Sequence, residues 1–166
     1  MISNYRRFFV VLLLLSLLFA GGCRAFRGED FPHHVARFYV ETSEAYPESH
    51  RGEVTLPYSE ATITINPKVQ LGEWDIDRVE VFEAELGDAV AVYLMPDAAR
   101  DIQMLSYNNR GRRLVLLVND IPVGAKMMNR GIEDGVIVMY LEYPDEELEE
   151  LADYITRTSE VARRRL

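Results

Sequence analysis

Apolar and polar positions change rhythm several times along the chain, and each change predicts an element. Phe8 to Ala20 is an apolar run broken only by Ser16 and preceded by Arg6 and Arg7. From Arg24 to His34 the residues are polar and without period, the pattern of a tether. Val35, Phe38, Tyr39 and Val40 make Val35 to Thr42 a β-favouring run and the first expected strand. A polar stretch through Gly52 and a loop at Leu56 to Glu60 follow. Ala61 to Ile65 then alternates and stops at Asn66-Pro67, which predicts a short edge strand. From Arg78 the apolar positions become dense. Val79 and Val81, then Ala84 and Leu86, change phase near Phe82, so a long strand with a bulge is expected. Gly87-Asp88 turns it into an apolar strand from Ala89 to Met95, completing a hairpin.

The period then lengthens. Pro96 suits a first helical position, Ala98, Ile102 and Leu105 follow at spacings of four and three, and Gly111 offers a stop. Leu114 to Val118 and Val136 to Leu141 are apolar runs of strand length. After Pro144, the residues Leu148, Leu151, Ala152 and Ile155 fall at i, i+3, i+4 and i+7 opposite a polar face, the pattern of an amphipathic helix. Asp145, Glu146 and Glu147 at its start and Arg157 toward its end complement the helix dipole. A solvated, helix-stabilising role therefore explains these acids; an acidic patch recruiting a basic partner is the competing reading. Arg163, Arg164 and Arg165 read as a frayed, solvated tail that could also touch lipid heads or a partner. The pattern predicts an α+β fold, mainly an antiparallel sheet with two helices packed on one face.

Composition narrows the class. The 166 residues are 48% hydrophobic and 27% charged, with one Cys, so general disorder and a disulfide-built miniprotein are both excluded. The 18 Lys and Arg against 27 Asp and Glu leave a net charge of -9. That balance argues against nucleic acid, whose affinity comes from basic side chains releasing counterions.

The N-terminal run has the shape of an export signal. It is shorter than the roughly 20 residues a membrane-spanning helix needs, and it ends in two glycines. Leu18-Phe19-Ala20-Gly21-Gly22-Cys23 resembles a bacterial lipoprotein signal, in which small residues precede a Cys whose thiol is acylated. Ala20 stands where the family usually has Leu. A plain secretory signal would instead leave Cys23 as a free thiol. The lipoprotein resemblance implies lipid attachment at Cys23, a bacterial membrane anchor, and a domain facing the periplasm or the exterior. Cleavage before Cys23 would remove Arg6 and Arg7 and leave 144 residues, with 16 basic against 27 acidic side chains, or -11.

The later blocks carry a second resemblance. Leu94-Met95-Pro96-Asp97-Ala98-Ala99 resembles the "LTPEGA" helix entry of the head part of the first periplasmic domain of SecD, a protein translocase subunit. Gly111-Arg112-Arg113-Leu114-Val115-Leu116-Leu117-Val118-Asn119-Asp120 resembles its "GRRLAIVLDG". Gly135 and Glu146-Glu147-Leu148-Glu149-Glu150-Leu151-Ala152 resemble its closing glycine and "EEAxxLA" helix. The family's "GxF" is Leu141 and Tyr143 here, and its "DG" turn is Asn119-Asp120. The likeness covers Ala89 to Ile155. It implies a SecD head-like module and contact with exported polypeptides, but not proton-driven translocation, since no later run approaches spanning length. The expected organisation is a signal peptide over 1–22, a tether over 23–34, an N-terminal β region over 35–74, the head-like module over 75–158 and a basic tail over 159–166.

Catalytic constellations are not evident. There is no phosphate-binding glycine loop, HExxH or CxxC, and Ser59 lacks the glycines of a nucleophile elbow. His33 and His34 are adjacent but have no third ligand at metal spacing, which favours a solvated linker pair. Asp75-Ile76-Asp77 opens like a calcium loop and lacks its glycine and bidentate Glu. Met104, Met127, Met128 and Met139 read as core filling before they read as a soft binding surface. Trp74 reads as a lid over the sheet, with an exposed anchor as the alternative. No catalytic residue, cofactor or metal is expected. The function these readings support is a non-catalytic, membrane-anchored envelope lipoprotein that binds exported polypeptides or translocase and envelope proteins; the alternative is a small-molecule-binding lipoprotein. Metabolic labelling with a palmitate analogue should mark the chain, and Cys23→Ser should abolish the mark; undiminished labelling of that variant overturns the anchor.

Overall fold

The computed structural model describes residues 33–165 apart from 44, 46, 49 and 50, so Cys23, the signal and most of the tether lie outside the described residues. The strands are β1 (Ala36–Val40), β2 (Gly52–Thr55), β3 (Thr62–Ile65), β4 (Ile76–Ala84), β5 (Gly87–Leu94), β6 (Arg113–Val118), β7 (Ile121–Met127) and β8 (Val136–Met139). The helices are α1 (Pro96–Asn108) and α2 (Leu148–Arg163). All pairings are antiparallel. β1, β6 and β7 form one sheet in that order, β4, β5 and β8 a second, and β2 and β3 a hairpin. The expected α+β class holds, but the sheet is divided.

One core joins the pieces. Phe38, Leu114 and Leu116 from the first sheet meet Val90, Val92 and Ile137 from the second, together with Ile102 of α1 and Leu148, Leu151 and Ile155 of α2. Both helices thus pack on one side. The opposite face of the first sheet is also buried, because Tyr39, Val115 and Leu117 pack under Ile63 and Ile65 of the hairpin in a second, smaller cluster. β6 therefore buries both faces, which is why its sequence is a continuous apolar run.

Local chemistry sets the connections. Asn119 and Asp120 both have positive φ, 51° and 65°, and make the two-residue turn that joins Val118 to Ile121. Gly135 has φ of 69°, and a Cβ there would stand 2.5 Å from the Ala99 Cβ, so glycine permits both the turn and the close approach of α1.

Several expectations change. The irregularity in β4 lies between Ile76 and Arg78, while Phe82 pairs regularly with Ala89; the phase change near Phe82 reflects a strand nearing its end, and the turn is Glu85-Leu86 rather than Gly87-Asp88. β2 and β7 were not evident in the pattern. β3 is not a bare edge, because β2 pairs one side and Thr42 N donates to Thr64 O at 2.8 Å on the other. His34 belongs to the folded body: its backbone N donates to Thr158 Oγ1 at 2.9 Å and its ring stacks on Tyr154 with centroids 4.9 Å apart. The helix also outlasts the expected tail. Ser159 is fully buried, and Arg163 donates to Ile76 O and Asp77 O.

Glu41 and Arg113 lock β1 to β6 beyond the ladder. Arg113 Nε and Nη2 reach the two Glu41 carboxylate oxygens at 3.1 and 2.8 Å, and the Arg113 backbone N donates to Oε2 at 2.8 Å. The Arg113 side-chain bonds hold the Glu41 carboxyl below its usual range, against some burial. A depressed acid stabilises fully above the unfolded glutamate value and loses that contribution as pH falls through the folded one. Glu41→Gln should therefore cost about 1 kcal/mol at pH 7, and its melting temperature should converge on that of the parent chain in acid; a pH-independent gap overturns the assignment.

Candidate functional site

The two sheets differ in what covers their outer faces. The hairpin covers the β1-β6-β7 sheet, and its tip is fastened by Glu142, whose Oε2 accepts from the backbone N of Tyr58 and Ser59 at 2.8 and 2.9 Å while Oε1 accepts from Ser59 Oγ at 2.6 Å. Burial pushes the Glu142 carboxyl up, but these bonds prevail and hold it below its usual range. Ser59 thus has a structural role. Among the described residues, no element covers the outer face of the β4-β5-β8 sheet.

That open face follows from strand alternation. Val90, Val92 and Leu94 of β5 turn inward to the core, so Ala89, Ala91 and Tyr93 turn outward. Ala89 and Ala91, both buried by their neighbours, form the floor of a shallow trough whose sides are Phe82 of β4, opposite Ala89, and Glu80 of β4 and Val138 of β8, both opposite Ala91. Phe82, Val138 and Tyr140 are exposed at 40%, 38% and 43%. Arg78 closes one end, with its guanidinium 3.7 Å from the Tyr93 ring centroid and its Nε bonded to Glu80 at 2.8 Å. An apolar trough with a polar end is suited to contact rather than to bond-breaking chemistry.

A cleft of about 370 Å³ adjoins this face. β7 and β8 converge where Glu142 N donates to Val123 O at 2.6 Å, and a side chain at Gly124 would come within 3.0 Å of Tyr140 O. They then separate, and Lys126, Met127, Ile132, Asp134, Val136 and Val138 line the gap. The loop that walls it is pinned to α1, because Ser106 Oγ accepts from Ile132 N at 2.9 Å and donates to Gln103 O, and Tyr107 bonds Glu133. Burial lowers the Lys126 pKa, with Asp134 opposing the shift. Among the described residues Lys126 makes no ion pair.

The earlier candidates fall elsewhere. Trp74 is 46% exposed and lies against Gly72, so the lid expectation is corrected: its short turn places the ring at the margin of the body. Met128 and Met139 are core, whereas Met104 and Met127 are exposed. Asp75 accepts from Gly72 N at 2.8 Å, with its carboxyl pushed up by burial, and Asp77 lies beside Arg78. The void inside the main core is only about 10 Å³, room for about one water, which is far below a small-molecule site. The open trough was missed because its residues read individually as strand filling. The signal was the pairing of alanines with larger neighbours on alternate positions, and it emerges only when the register is known.

No family model and no curated protein sequence matches the chain. Solved structures do. The crystal structure of SecDF in a super-membrane-facing form superposes with a TM-score of 0.57 at 16% identity, over 74% of this chain and 18% of that one. A structure of SecDF, described as a membrane component that enhances protein export, gives 0.56 at 16% identity over 75% of this chain and 62% of that one. The chain thus spans less than two thirds of either neighbour and shares with them an α+β fold.

Lys126 offers a direct test of the cleft's electrostatics. A lysine with a lowered folded pKa penalises the fold while it is charged, and the penalty fades as pH rises through that value toward the unfolded 10.5. Lys126→Met should raise the melting temperature at pH 7, by an increment that shrinks in alkali; a loss of stability at pH 7 overturns the reading.

Proposed function

We propose that the protein is a non-catalytic envelope lipoprotein, anchored through acylated Cys23, whose folded part is a protein- or peptide-interaction module related to the SecD periplasmic head. The observation that carries this reading is the set of exposed apolar side chains Phe82, Val138 and Tyr140, which flank the buried Ala89 and Ala91 on the outer face of a SecDF-like fold. Exposed apolar surface beside a rigid sheet gives binding area without ordering cost. The domain faces the periplasm or exterior. Its partners are exported polypeptides or translocase and envelope proteins. The warrant from fold to role is analogy, and the trough supplies the physical part of the argument.

Photocrosslinking in intact cells tests it. With p-benzoylphenylalanine at Phe82, adducts identified by mass spectrometry as exported polypeptides or translocase subunits should exceed those from the same probe at exposed Met104 of α1 by several-fold. Equal yields at the two positions, or no protein adducts at Phe82, overturn the proposal.

A further inference from the structure

The cleft between β7 and β8 combines a bare strand edge with a half-buried cation. Val92 lies opposite Ile137, Val90 lies opposite Met139, and Leu94 N donates to Gly135 O at 3.0 Å. Gly135, Ile137 and Met139 therefore direct their backbone groups to β5, and Val136 and Val138 direct theirs to the other edge. Asp134 Oδ1 accepts from Val136 N at 3.1 Å. The Val136 carbonyl and both backbone groups of Val138 are left facing the cleft, because β8 has β5 as its ladder partner and β7 has already diverged.

Lys126 stands in the same cleft with its charge partly desolvated, attracted by Asp134 across the gap but in no ion pair among the described residues, and Arg130 lines the cleft as a second cation. A carboxylate brought there would meet a half-buried cation, where a charge-assisted bond gains more than at a fully exposed one. Lysine beside an open edge has a second, protective use, which is to discourage pairing with stray strands. The two uses differ in sign for an acidic segment.

We propose that this cleft receives an extended polypeptide segment, which adds to the β8 edge as a further strand through Val136 and Val138 and presents an acidic side chain to Lys126. The inference rests on the interaction role proposed above and names the chemistry of the partner. Main-chain bonds to the edge supply sequence-tolerant affinity, and the lysine supplies selection. β8 is four residues long, so the contact spans about 13 Å of partner strand. The net charge of -9 repels acidic chains at long range, so selection operates only at contact.

The test uses the full chain in detergent micelles and fluorescein-labelled heptapeptides of alternating Thr and Val, followed by fluorescence anisotropy. The peptide with a central Glu should bind at least tenfold more tightly than the one with a central Lys. N-methylation of its alternate backbone nitrogens should abolish binding. Val138→Pro deletes only the outward donor of β8 and spares the β5 ladder, so it should weaken binding at least tenfold with unchanged circular dichroism. Lys126→Met should bring the Glu to Lys preference close to one. Equal affinity of the N-methylated peptide overturns strand addition whether or not the proline variant folds, and tighter binding of the Glu peptide to Lys126→Met shows a guard rather than a receptor. The two proposals can fail separately: adducts at Phe82 without heptapeptide binding retain the interaction role and remove this site.

Discussion

The double burial of β6 is the constraint on which the rest depends. Leu114, Leu116 and Val118 face the helices, and Val115 and Leu117 face the β2-β3 hairpin. A slip of one residue would exchange these sets, yet each faces a different and already filled cluster, so the register is held from both sides. The Asn119-Asp120 turn and the Glu41–Arg113 pair fix its two ends. From this strand the arrangement spreads outward. The hairpin must lie over Val115 and Leu117, its tip meets Glu142, and it therefore stops at the boundary between the sheets. The outer face of β4-β5-β8 is open because the hairpin is committed elsewhere.

Much of this was legible where one residue type has one physical use. Pro96 begins α1, Gly111 follows its end with φ of 78°, and the i, i+3, i+4, i+7 series from Leu148 faces the core. The apolar run of β6 and the antiparallel α+β class were legible for the same reason. β7 was not, since Ile121-Pro122-Val123-Gly124-Ala125-Lys126-Met127 carries a proline, a glycine and a bulge, each of which demotes a strand on pattern alone. β2 is four residues with two of them exposed, too short for alternation to emerge above a loop. The extension of α2 through Ser159 was hidden because Thr158 and Ser159 are polar residues in buried positions. Thr158 meets the backbone of His34, a contact 124 residues away in sequence.

The candidate site was less legible than the fold. Phe82, Ala89, Ala91 and Val138 come from three strands, and only the register sets them side by side. Likeness to SecDF does not close that gap. At 16% identity the shared property is a backbone arrangement, and a fold can be kept while its surface is reassigned.

The treatment of strand edges argues that the opening at β8 is selective. A bare edge invites pairing with other chains, and this domain closes the outer edges of β1 and β4. The outer edge of β1 bonds a loop, with Phe38 N donating to Leu71 O and Gln70 N to Phe38 O, both at 2.9 Å. The outer edge of β4 is met by α2: Thr156 Oγ1 accepts from Val79 N at 2.9 Å while donating to Ala152 O, and Arg163 caps the carbonyls of Ile76 and Asp77. These are side chains of a helix doing what a neighbouring strand would do. β7 lies within reach of β8 and could have completed a six-stranded sheet by continuing the antiparallel approach that begins at Val123 and Glu142. Instead the loop pinned by Ser106 and Tyr107 holds the two strands apart, and it does so with specific bonds rather than by the lack of a partner. Separating them forfeits main-chain hydrogen bonds and leaves the Lys126 charge half-buried beside the gap. A structure that seals β4 side chain by side chain and wedges β8 open has distributed these costs unevenly, and a segment that supplies backbone bonds and a carboxylate would recover both.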